Sequence, residues 1–251
     1  SAWVTSEVNV VWGHECKSDN ATYIEITPPT CTDRGFSECI CICGRYHITG
    51  YVNAKDHSYV NGLCSECGYR KPSPDSYFTF TLKADGTYSV KLASGVTPES
   101  TLVIPSTYNG SSVTEIVSNA FSNNKNIVTV YIPDTVTTIG DYAFYYCENL
   151  KEVYIGENSR LTRIGHAGFY YCTSLAKISI PATVNYIGSN AFYGCIGLAD
   201  LTITYGVTAI GNDAFNGCLA LQEVVVPDSV TSIGNDAFAY CSRLTDITIP
   251  D

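Results

Sequence analysis

A phenylalanine recurs at a nearly constant interval through the C-terminal half of the chain. The interval is 23 residues in four of the five gaps and 25 residues in the gap after Phe144. A fixed period of this length is typical of a solenoid, in which each unit is one coil that buries its apolar side only against its neighbours. The period therefore predicts a stacked coil and favours binding over catalysis. The six copies are Ala120-Phe121, Ala143-Phe144, Gly168-Phe169, Ala191-Phe192, Ala214-Phe215 and Ala237-Phe238.

Other residues keep fixed offsets from this phenylalanine. Apolar residues stand nine and eleven positions after it, as at Val224 and Val226. A spacing of two is the period of a strand with one buried face, so we predict one short strand per repeat. A later Ile-Gly pair, such as Ile187-Gly188, is predicted to form a corner whose glycine adopts a left-handed conformation. The two extra residues of the long unit fall within 156–160, which predicts a loop insertion there.

A cysteine follows the phenylalanine by three residues in five of the six copies, and Asn124 replaces it in the first. These cysteines stand at a fixed number of residues from the inward-facing Phe and Leu of each repeat. We therefore expect a buried ladder of reduced cysteines, which act as small apolar side chains. The ladder cysteines are Cys147, Cys172, Cys195, Cys218 and Cys241.

The repeated unit Ile-Pro-x-x-Val-x-x-Ile-Gly-x-x-Ala-Phe-x-x-Cys-x-x-Leu, seen from Ile180 to Leu198, resembles the BspA-like, or Treponema-type, leucine-rich repeats. The resemblance implies a right-handed leucine-rich repeat coil, a β-rich α/β solenoid, over roughly residues 77–251. It also implies secreted or surface proteins of bacteria or protists, often described as adhesins, and no catalytic residues. Two alternating runs around Asp85-Gly86 predict a β-hairpin that caps the first coil.

The first 76 residues do not share the period, and they end in a stretch rich in proline and serine that is typical of a linker. We predict a cysteine-rich domain over 1–70 and a linker over 71–76. The hairpin cap is predicted over 77–106 and the repeats over 107–251.

Two short cysteine pairs followed by glycine lie in the cysteine-rich domain, and they resemble the knuckles of a zinc ribbon. Such turns direct two thiolates to one point, which predicts structural zinc. Disulfides are the competing interpretation for a small exported domain, although its seven cysteines cannot all pair. The predicted ligands are Cys41, Cys43, Cys64 and Cys67, with His14, Cys16, Cys31 and His57 for a second or alternative site.

The charge of the chain argues against two classes of partner. The net charge is −10, from 14 basic and 24 acidic residues, and the sequence has no run of Lys or Arg. Nucleic acid and anionic membrane surfaces are therefore poor partners. No apolar run approaches the roughly 18–20 residues of a transmembrane helix, so we expect no membrane insertion. The sequence also lacks nucleotide-binding and metalloprotease motifs, and we predict that the chain is not an enzyme.

Two outward-facing surfaces are predicted to bind a partner. The strand positions eight and ten after the phenylalanine form a mainly acidic sheet face, of the kind that repeat proteins use for binding. The turn after the phenylalanine carries tyrosines that stacking brings together, and exposed tyrosines are enriched at interfaces. The alternative for these tyrosines is that they only shield the corner of the coil. The sheet-face residues are Tyr131, Glu152, Tyr154, Lys177, Asp200, Glu223 and Asp246, and the turn residues are Tyr145, Tyr146, Tyr170, Tyr171 and Tyr193.

The sequence therefore predicts a non-catalytic extracellular binding module of the adhesin type, secreted or held at the cell surface, for an unidentified protein or glycan. The alternative is an accessory or targeting domain of a larger secreted enzyme or scaffold. The last strand, over 245–249, is expected to leave an open edge. Through that edge, copies of the chain would self-associate or further repeats would continue.

Overall fold

The computed structural model describes residues 70–156 and 158–249 in full, and the backbone of five strands before them. The chain divides into two compact units, Ser1–Lys71 and Pro72–Asp251. In the first unit, β1 to β3 form an antiparallel sheet in sequential order, and β4 pairs with β5 in a separate hairpin. These strands are β1 (Ala21–Thr27), β2 (Gly35–Cys41), β3 (Tyr46–Val52), β4 (Tyr59–Val60) and β5 (Leu63–Cys64).

The second unit opens with the hairpin that the sequence predicts. A 3-10 helix, Asp75–Tyr77, precedes the antiparallel strands β6 (Phe78–Leu82) and β7 (Tyr88–Leu92). Gly86 adopts a φ of 81° in the turn between them, as an Asp-Gly turn requires. Because β7 also pairs in parallel with the first strand of a larger sheet, the hairpin covers the end of that sheet and the prediction of a cap is confirmed.

Two parallel sheets run along the solenoid. The first, which we call sheet I, has the order β17-β15-β13-β11-β8, and β19 and β21 form a further parallel pair. Its inward residues, such as Val130 and Ile132, are buried, while the alternate residues face outward. The strands are β8 (Thr101–Val103), β11 (Thr129–Ile132), β13 (Glu152–Ile155), β15 (Lys177–Ile180), β17 (Asp200–Ile203), β19 (Glu223–Val225) and β21 (Asp246–Thr248).

The second sheet, sheet II, contributes a second strand to each coil, and this strand was not predicted from the sequence. It continues the hairpin in the order β20-β18-β16-β14-β12-β10-β7-β6, with β9 paired to β10. Each repeat therefore carries two short strands, and the prediction of one strand per repeat is wrong. A strand of two residues is too short to show a period in sequence. The strands are β9 (Thr107–Tyr108), β10 (Ser111–Ile116), β12 (Thr138–Ile139), β14 (Arg163–Ile164), β16 (Tyr186–Ile187), β18 (Ala209–Ile210) and β20 (Ser232–Ile233).

The described residues contain no α-helix, so the α/β class is wrong and the repeat domain is a β-solenoid. The reason lies in the turn around each phenylalanine. The residues two before and two after it have positive φ, as Tyr142 (59°) and Tyr146 (54°) do around Phe144. Two left-handed residues four positions apart in each turn interrupt right-handed helical geometry. None of the helices in the described part of the chain is long and apolar enough to span a membrane.

These left-handed residues serve the contact between coils. The N–H groups of Tyr142, Phe144 and Tyr146 donate to carbonyl oxygens of the next coil at 2.8, 2.7 and 2.8 Å. The N–H groups between them, of Ala143 and Tyr145, donate within the coil to the carbonyl oxygens of Gly140 and Tyr142. The turn therefore stacks on the next coil through backbone hydrogen bonds, as a strand would.

The core is a stack of phenylalanine rings. The rings of five phenylalanines are buried, and successive centroids lie 5.0–5.2 Å apart. Phe238 continues the stack at 5.3 Å and is partly buried. The other five, Phe121, Phe144, Phe169, Phe192 and Phe215, are each at most 1% exposed.

The glycine of each Ile-Gly pair does not have the left-handed conformation that the sequence predicted. None of these glycines has a positive φ in the described coils. A Cβ on Gly188 would instead lie 2.5 Å from the backbone C and O atoms of Gly165 in the preceding coil. The glycine is therefore needed for close approach between coils, and the prediction of a left-handed corner is wrong.

The repeat cysteines form the expected ladder. All five are free and buried, which confirms the prediction. Each thiol donates to the carbonyl oxygen of the phenylalanine in the preceding coil, at 3.1 Å from Cys195 Sγ to Phe169 O. Asn124 departs from the ladder in the first copy, where its Oδ1 instead accepts from the N–H groups of Asn126 and Ile127 at 2.9 and 3.0 Å.

The buried thiols make the stability of the solenoid sensitive to alkaline pH. Burial raises the pKa of Cys147 and of Cys195 from 9.0 to about 12. Between these values the unfolded chain loses a proton that the folded chain keeps, so stability falls as pH rises. We expect the free energy of unfolding to change little between pH 7 and 8 and to fall progressively above pH 9. Urea titrations across this range test the prediction.

Cys195→Ala is the control variant for this pH dependence. We expect a shallower alkaline loss in the variant, because one raised pKa has been removed, whatever its stability at pH 7. An identical slope in the variant and the parent chain would contradict the assignment to the thiols.

Candidate functional site

Six tyrosines gather on the turn side of three consecutive coils, and we call them the tyrosine surface. Tyr145, Tyr170 and Tyr193 stack in series, with centroids 5.1 and 5.0 Å apart. Tyr146 and Tyr171 form a parallel second stack at 5.1 Å, and Tyr171 also contacts Tyr193. The members are Tyr142, Tyr145, Tyr146, Tyr170, Tyr171 and Tyr193, and all are partly exposed. The structure thus brings together the five turn tyrosines named from sequence and adds Tyr142.

Three of these tyrosines occupy backbone positions that favour other residues. Tyr142, Tyr146 and Tyr171 have φ values of 59°, 54° and 53°. A left-handed conformation costs a residue with a side chain about 1–2 kcal/mol. Other coils fill these positions with residues that adopt it more readily: Asn119 and Asn190 replace Tyr142, and Gly194 and Gly217 replace Tyr146 and Tyr171. The tyrosines are therefore present despite a cost to the backbone.

Gly194 also makes room for the tyrosine surface. A Cβ at this position would lie 2.9 Å from two ring atoms of Tyr171. The ring of Tyr171 therefore lies directly over the glycine of the next coil. The second stack ends there because the glycine has no side chain to continue it.

A pocket of about 240 Å³ opens between Tyr142 and the first stack. The ring plane of Tyr142 stands at 78° to that of Tyr145 and at 79° to that of His166, with centroids 5.4 and 5.1 Å apart. Aromatic walls of two orientations therefore meet in the pocket. The lining residues are Tyr142, Tyr145, His166, Ala167, Tyr170 and Asn190.

Asp141 holds one side of this pocket in place. Its Oδ1 accepts hydrogen bonds from the backbone N–H of His166 at 2.9 Å and from the Arg163 guanidinium at 3.2 Å. The N–H of Tyr142 donates to the carbonyl oxygen of His166 at 2.8 Å. Two successive coils are thus joined directly beneath the aromatic walls.

The phenols of Tyr170 and Tyr146 keep their protons at neutral pH. Desolvation, followed by repulsion from neighbouring phenolates, raises the pKa of Tyr170 and of Tyr146 above the ordinary value. Lys125 lies 5.9 Å from the centroid of the Tyr146 ring, and its Nζ pairs with Glu148 at 2.6 Å. The hydroxyl groups are therefore available as both donors and acceptors.

The residues named for the sheet face lie on the outward positions of sheet I and of the β19–β21 pair. Tyr131 and Tyr154 stack at 4.5 Å with planes 4° apart. Lys177 pairs with Asp200 at 2.6 Å, and Glu223 is in register with Asp246. Glu152 Oε2 accepts a hydrogen bond from the Tyr154 hydroxyl at 3.2 Å.

Sheet I is also opened by a groove of about 250 Å³ between β13 and β15. These strands are paired only at Glu152 and Lys177, whereas the neighbouring strand pairs are in register over four residues. Val153 and Ile155 are only partly buried there, in contrast to Ile178. The loop that carries the two-residue insertion follows β13, at the end of the strand where the pairing with β15 is lost.

The predicted zinc ligands cannot be placed from the structure. Cys41 and Cys64 lie on β2 and β5, and their side chains are outside the described part of the chain. The others, Cys43, Cys67, His14, Cys16, Cys31 and His57, lie outside the described residues altogether. Within residues 70–156 and 158–249, no three His, Cys, Asp or Glu side chains form a group that could hold a metal ion. The zinc site stays a prediction.

A β-solenoid with two short strands in each 23-residue coil and a buried phenylalanine stack defines a leucine-rich repeat protein. The chain belongs to the BspA-type leucine-rich repeat family, whose repeat region matches residues 101–167 and 162–251 in six copies. The resemblance seen in the sequence is thereby confirmed. No curated protein matches the chain in sequence.

Solved structures of bacterial proteins have the same fold. The crystal structure of a leucine-rich repeat protein from T. pallidum has 26% sequence identity and a TM-score of 0.55, over 69% of this chain and 91% of that one. A leucine-rich cell surface protein from Faecalibacterium prausnitzii has 31% identity and a TM-score of 0.52, over 72% of this chain and 55% of that one.

The pneumococcal vaccine antigen PcpA shares the fold, with 22% identity and a TM-score of 0.55, over 68% of this chain and 46% of that one. The chain thus spans nearly all of the T. pallidum protein but only about half of the other two structures.

Proposed function

We propose that this chain is a non-catalytic binding module of a bacterial cell-surface or secreted protein, and that it recognises its partner through the tyrosine surface. The proposal is supported by a similar structure described as a leucine-rich cell surface protein. The observation that carries it is that three tyrosines of the stacked cluster, Tyr142, Tyr146 and Tyr171, occupy left-handed backbone positions. Residues that lower stability and persist in the native structure are concentrated at functional sites.

The tyrosine surface is favoured over the groove in sheet I because the groove has a sufficient structural cause. The inserted loop follows β13 where its pairing with β15 is lost, and an insertion at that point is a reason for the separation that requires no ligand. In contrast, the coil-to-coil stacking in the repeat domain does not require tyrosine, since coils with asparagine or glycine at the same positions form the same backbone hydrogen bonds. Large rings with a polar end are the side chains that most often anchor a partner.

A double substitution separates the role of the tyrosines in binding from their role in folding. We expect Tyr146→Gly with Tyr171→Gly to lower binding at least tenfold for a ligand captured from an array of glycans and extracellular matrix proteins. We expect the free energy of unfolding to change by less than about 1 kcal/mol, because relief of the left-handed conformation offsets the lost ring stacking. Surface plasmon resonance and urea denaturation measure the two effects.

Tyr240→Gly is the matched control. Tyr240 has the same offset and a φ of 56°, but it is 79% exposed and lies two coils beyond the stacked rings. Its substitution should leave binding unchanged. Equal ligand binding by the double variant and the parent chain would refute a role for the tyrosine surface in recognition.

A further inference from the structure

We propose that the pocket between Tyr142, Tyr145, His166, Tyr170 and Asn190 binds one ring of an uncharged glycan. The inference rests on the proposed function and names the ligand class of its central site. The shape of the pocket, the polar groups that line it and the rigidity of its walls all favour such a ligand.

The shape of the pocket suits a small, flat and compact group. Its volume of about 240 Å³ lies below the usual range for drug-sized ligands, which begins near 300 Å³. The Tyr142 ring is turned by 78° from the Tyr145 ring, so a flat group can lie against one wall while its edge meets the other. A sugar ring has this form, because one of its faces presents C–H groups and its rim presents hydroxyls.

The polar lining matches hydroxyl groups. The His166 imidazole, the Asn190 amide and the phenols of Tyr142, Tyr145 and Tyr170 together provide both donors and acceptors. None of the described lining residues is Asp, Glu, Lys or Arg, so the lining offers no charged side chain to pair with an ionic ligand. A quaternary ammonium group has no hydrogen bond to offer these side chains. A proline-rich peptide, the other common ligand of aromatic grooves, would use the rings but few of the polar groups.

The walls of the pocket are held in place before any ligand arrives. Asp141 Oδ1 accepts from the His166 N–H at 2.9 Å, and the Tyr142 N–H donates to the His166 carbonyl oxygen at 2.8 Å. The Asn190 N–H donates to the Asn212 carbonyl oxygen at 2.8 Å, which joins the third wall to the next coil. A site preorganised in this way loses little conformational freedom on binding.

Saturation-transfer NMR on the complete chain tests this inference with defined probes. The panel consists of methyl glycosides of neutral hexoses and N-acetylhexosamines, together with sialic acid, tetramethylammonium and a proline-rich peptide. We expect transfer to at least one neutral glycoside. Tyr142→Asn should weaken that binding at least fivefold while the chain stays folded, because Asn119 and Asn190 occupy the same backbone position in other coils. Asp236→Asn, at the same offset outside the pocket, should have no effect.

The outcomes separate this inference from the proposed function. Absence of transfer to every neutral glycoside, or binding unaffected by Tyr142→Asn, overturns the pocket as a sugar site. Preferential binding of the peptide, the ammonium ion or sialic acid also overturns it. In any of these cases an array ligand that is still lost in the Tyr146→Gly and Tyr171→Gly double variant leaves the proposed function standing. A glycoside that is lost with Tyr142→Asn and competes with the array ligand supports both.

Discussion

Substitution of Phe192 by alanine is expected to lower the free energy of unfolding by about 3–5 kcal/mol, the usual range for a fully buried phenylalanine. Phe192 is 0% exposed, and its ring stacks on Phe169 and on Phe215 at 5.2 Å on either side. The backbone of the two adjacent coils is joined by hydrogen bonds around the ring, so the cavity cannot close by collapse of one coil. Urea denaturation followed by circular dichroism measures the loss.

Phe238→Ala provides the comparison within the same stack. Phe238 contacts one ring of the stack, Phe215, at 5.3 Å and is only partly buried in this chain. We expect its removal to cost less than half as much as that of Phe192. Hydrogen exchange should show lost protection in the coils of Phe169 and Phe215 when Phe192 is replaced, because each coil is stabilised mainly by its neighbours. Equal losses for Phe192→Ala and Phe238→Ala would argue against a continuous stack.

The repeat made the interior of the solenoid predictable. Each inward position is sampled six times, so a residue type that recurs, such as Phe192 and its equivalents, identifies a buried position without knowledge of its contacts. The same repetition identified the cysteine ladder. The short strands of sheet II were missed because a two-residue strand has no period to detect, as at Tyr186–Ile187.

The left-handed positions were not predicted because no single residue type marks them. Asn119, Tyr142, Ala167 and Asp213 all have positive φ at the same offset. The left-handed conformation was instead predicted at the Ile-Gly pair, since glycine is the residue most often associated with it. Glycine also serves where two backbones approach closely, and sequence alone does not distinguish these two reasons. The incorrect prediction of an α/β fold has the same origin, because the left-handed residues exclude an α-helix from the turn.

The candidate site was predicted only in part. Stacking of equivalent positions was enough to bring Tyr145 and Tyr170 together. Tyr142, His166 and Asn190 were missed, because they precede the phenylalanine and line the pocket from a different part of the turn. One signal was present in the sequence: Tyr142 occupies a position that holds Asn or Asp in four other copies. In a repeat protein, residues that depart from the repeat are better guides to function than residues that follow it.

The close approach of the coils leads to the second large effect. Gly188→Ala is expected to destabilise the chain by at least about 3 kcal/mol, at or beyond the upper end of the usual cost of overpacking. The added Cβ would lie 2.5 Å from Gly165 C and O and 2.7 Å from the backbone N of His166. Backbone atoms cannot rotate away, so the two coils must separate. This separation would strain the bond from the Gly188 N–H to the Ile164 carbonyl oxygen, now 2.8 Å long.

Gly168→Ala is the matched control, since it adds the same methyl group one coil earlier. There the nearest atoms are Gly165 O and Ile164 Cγ2, both at 3.3 Å, and the other five copies of the repeat carry alanine. We expect the free energy of unfolding to change by less than about 1 kcal/mol. It rises slightly where the reduced conformational freedom of the unfolded chain dominates. Thermal and urea denaturation of both variants measure the difference. If Gly188→Ala were as well tolerated as Gly168→Ala, spacing between coils could not be the reason for the glycine, and a requirement for its backbone conformation would have to be reconsidered.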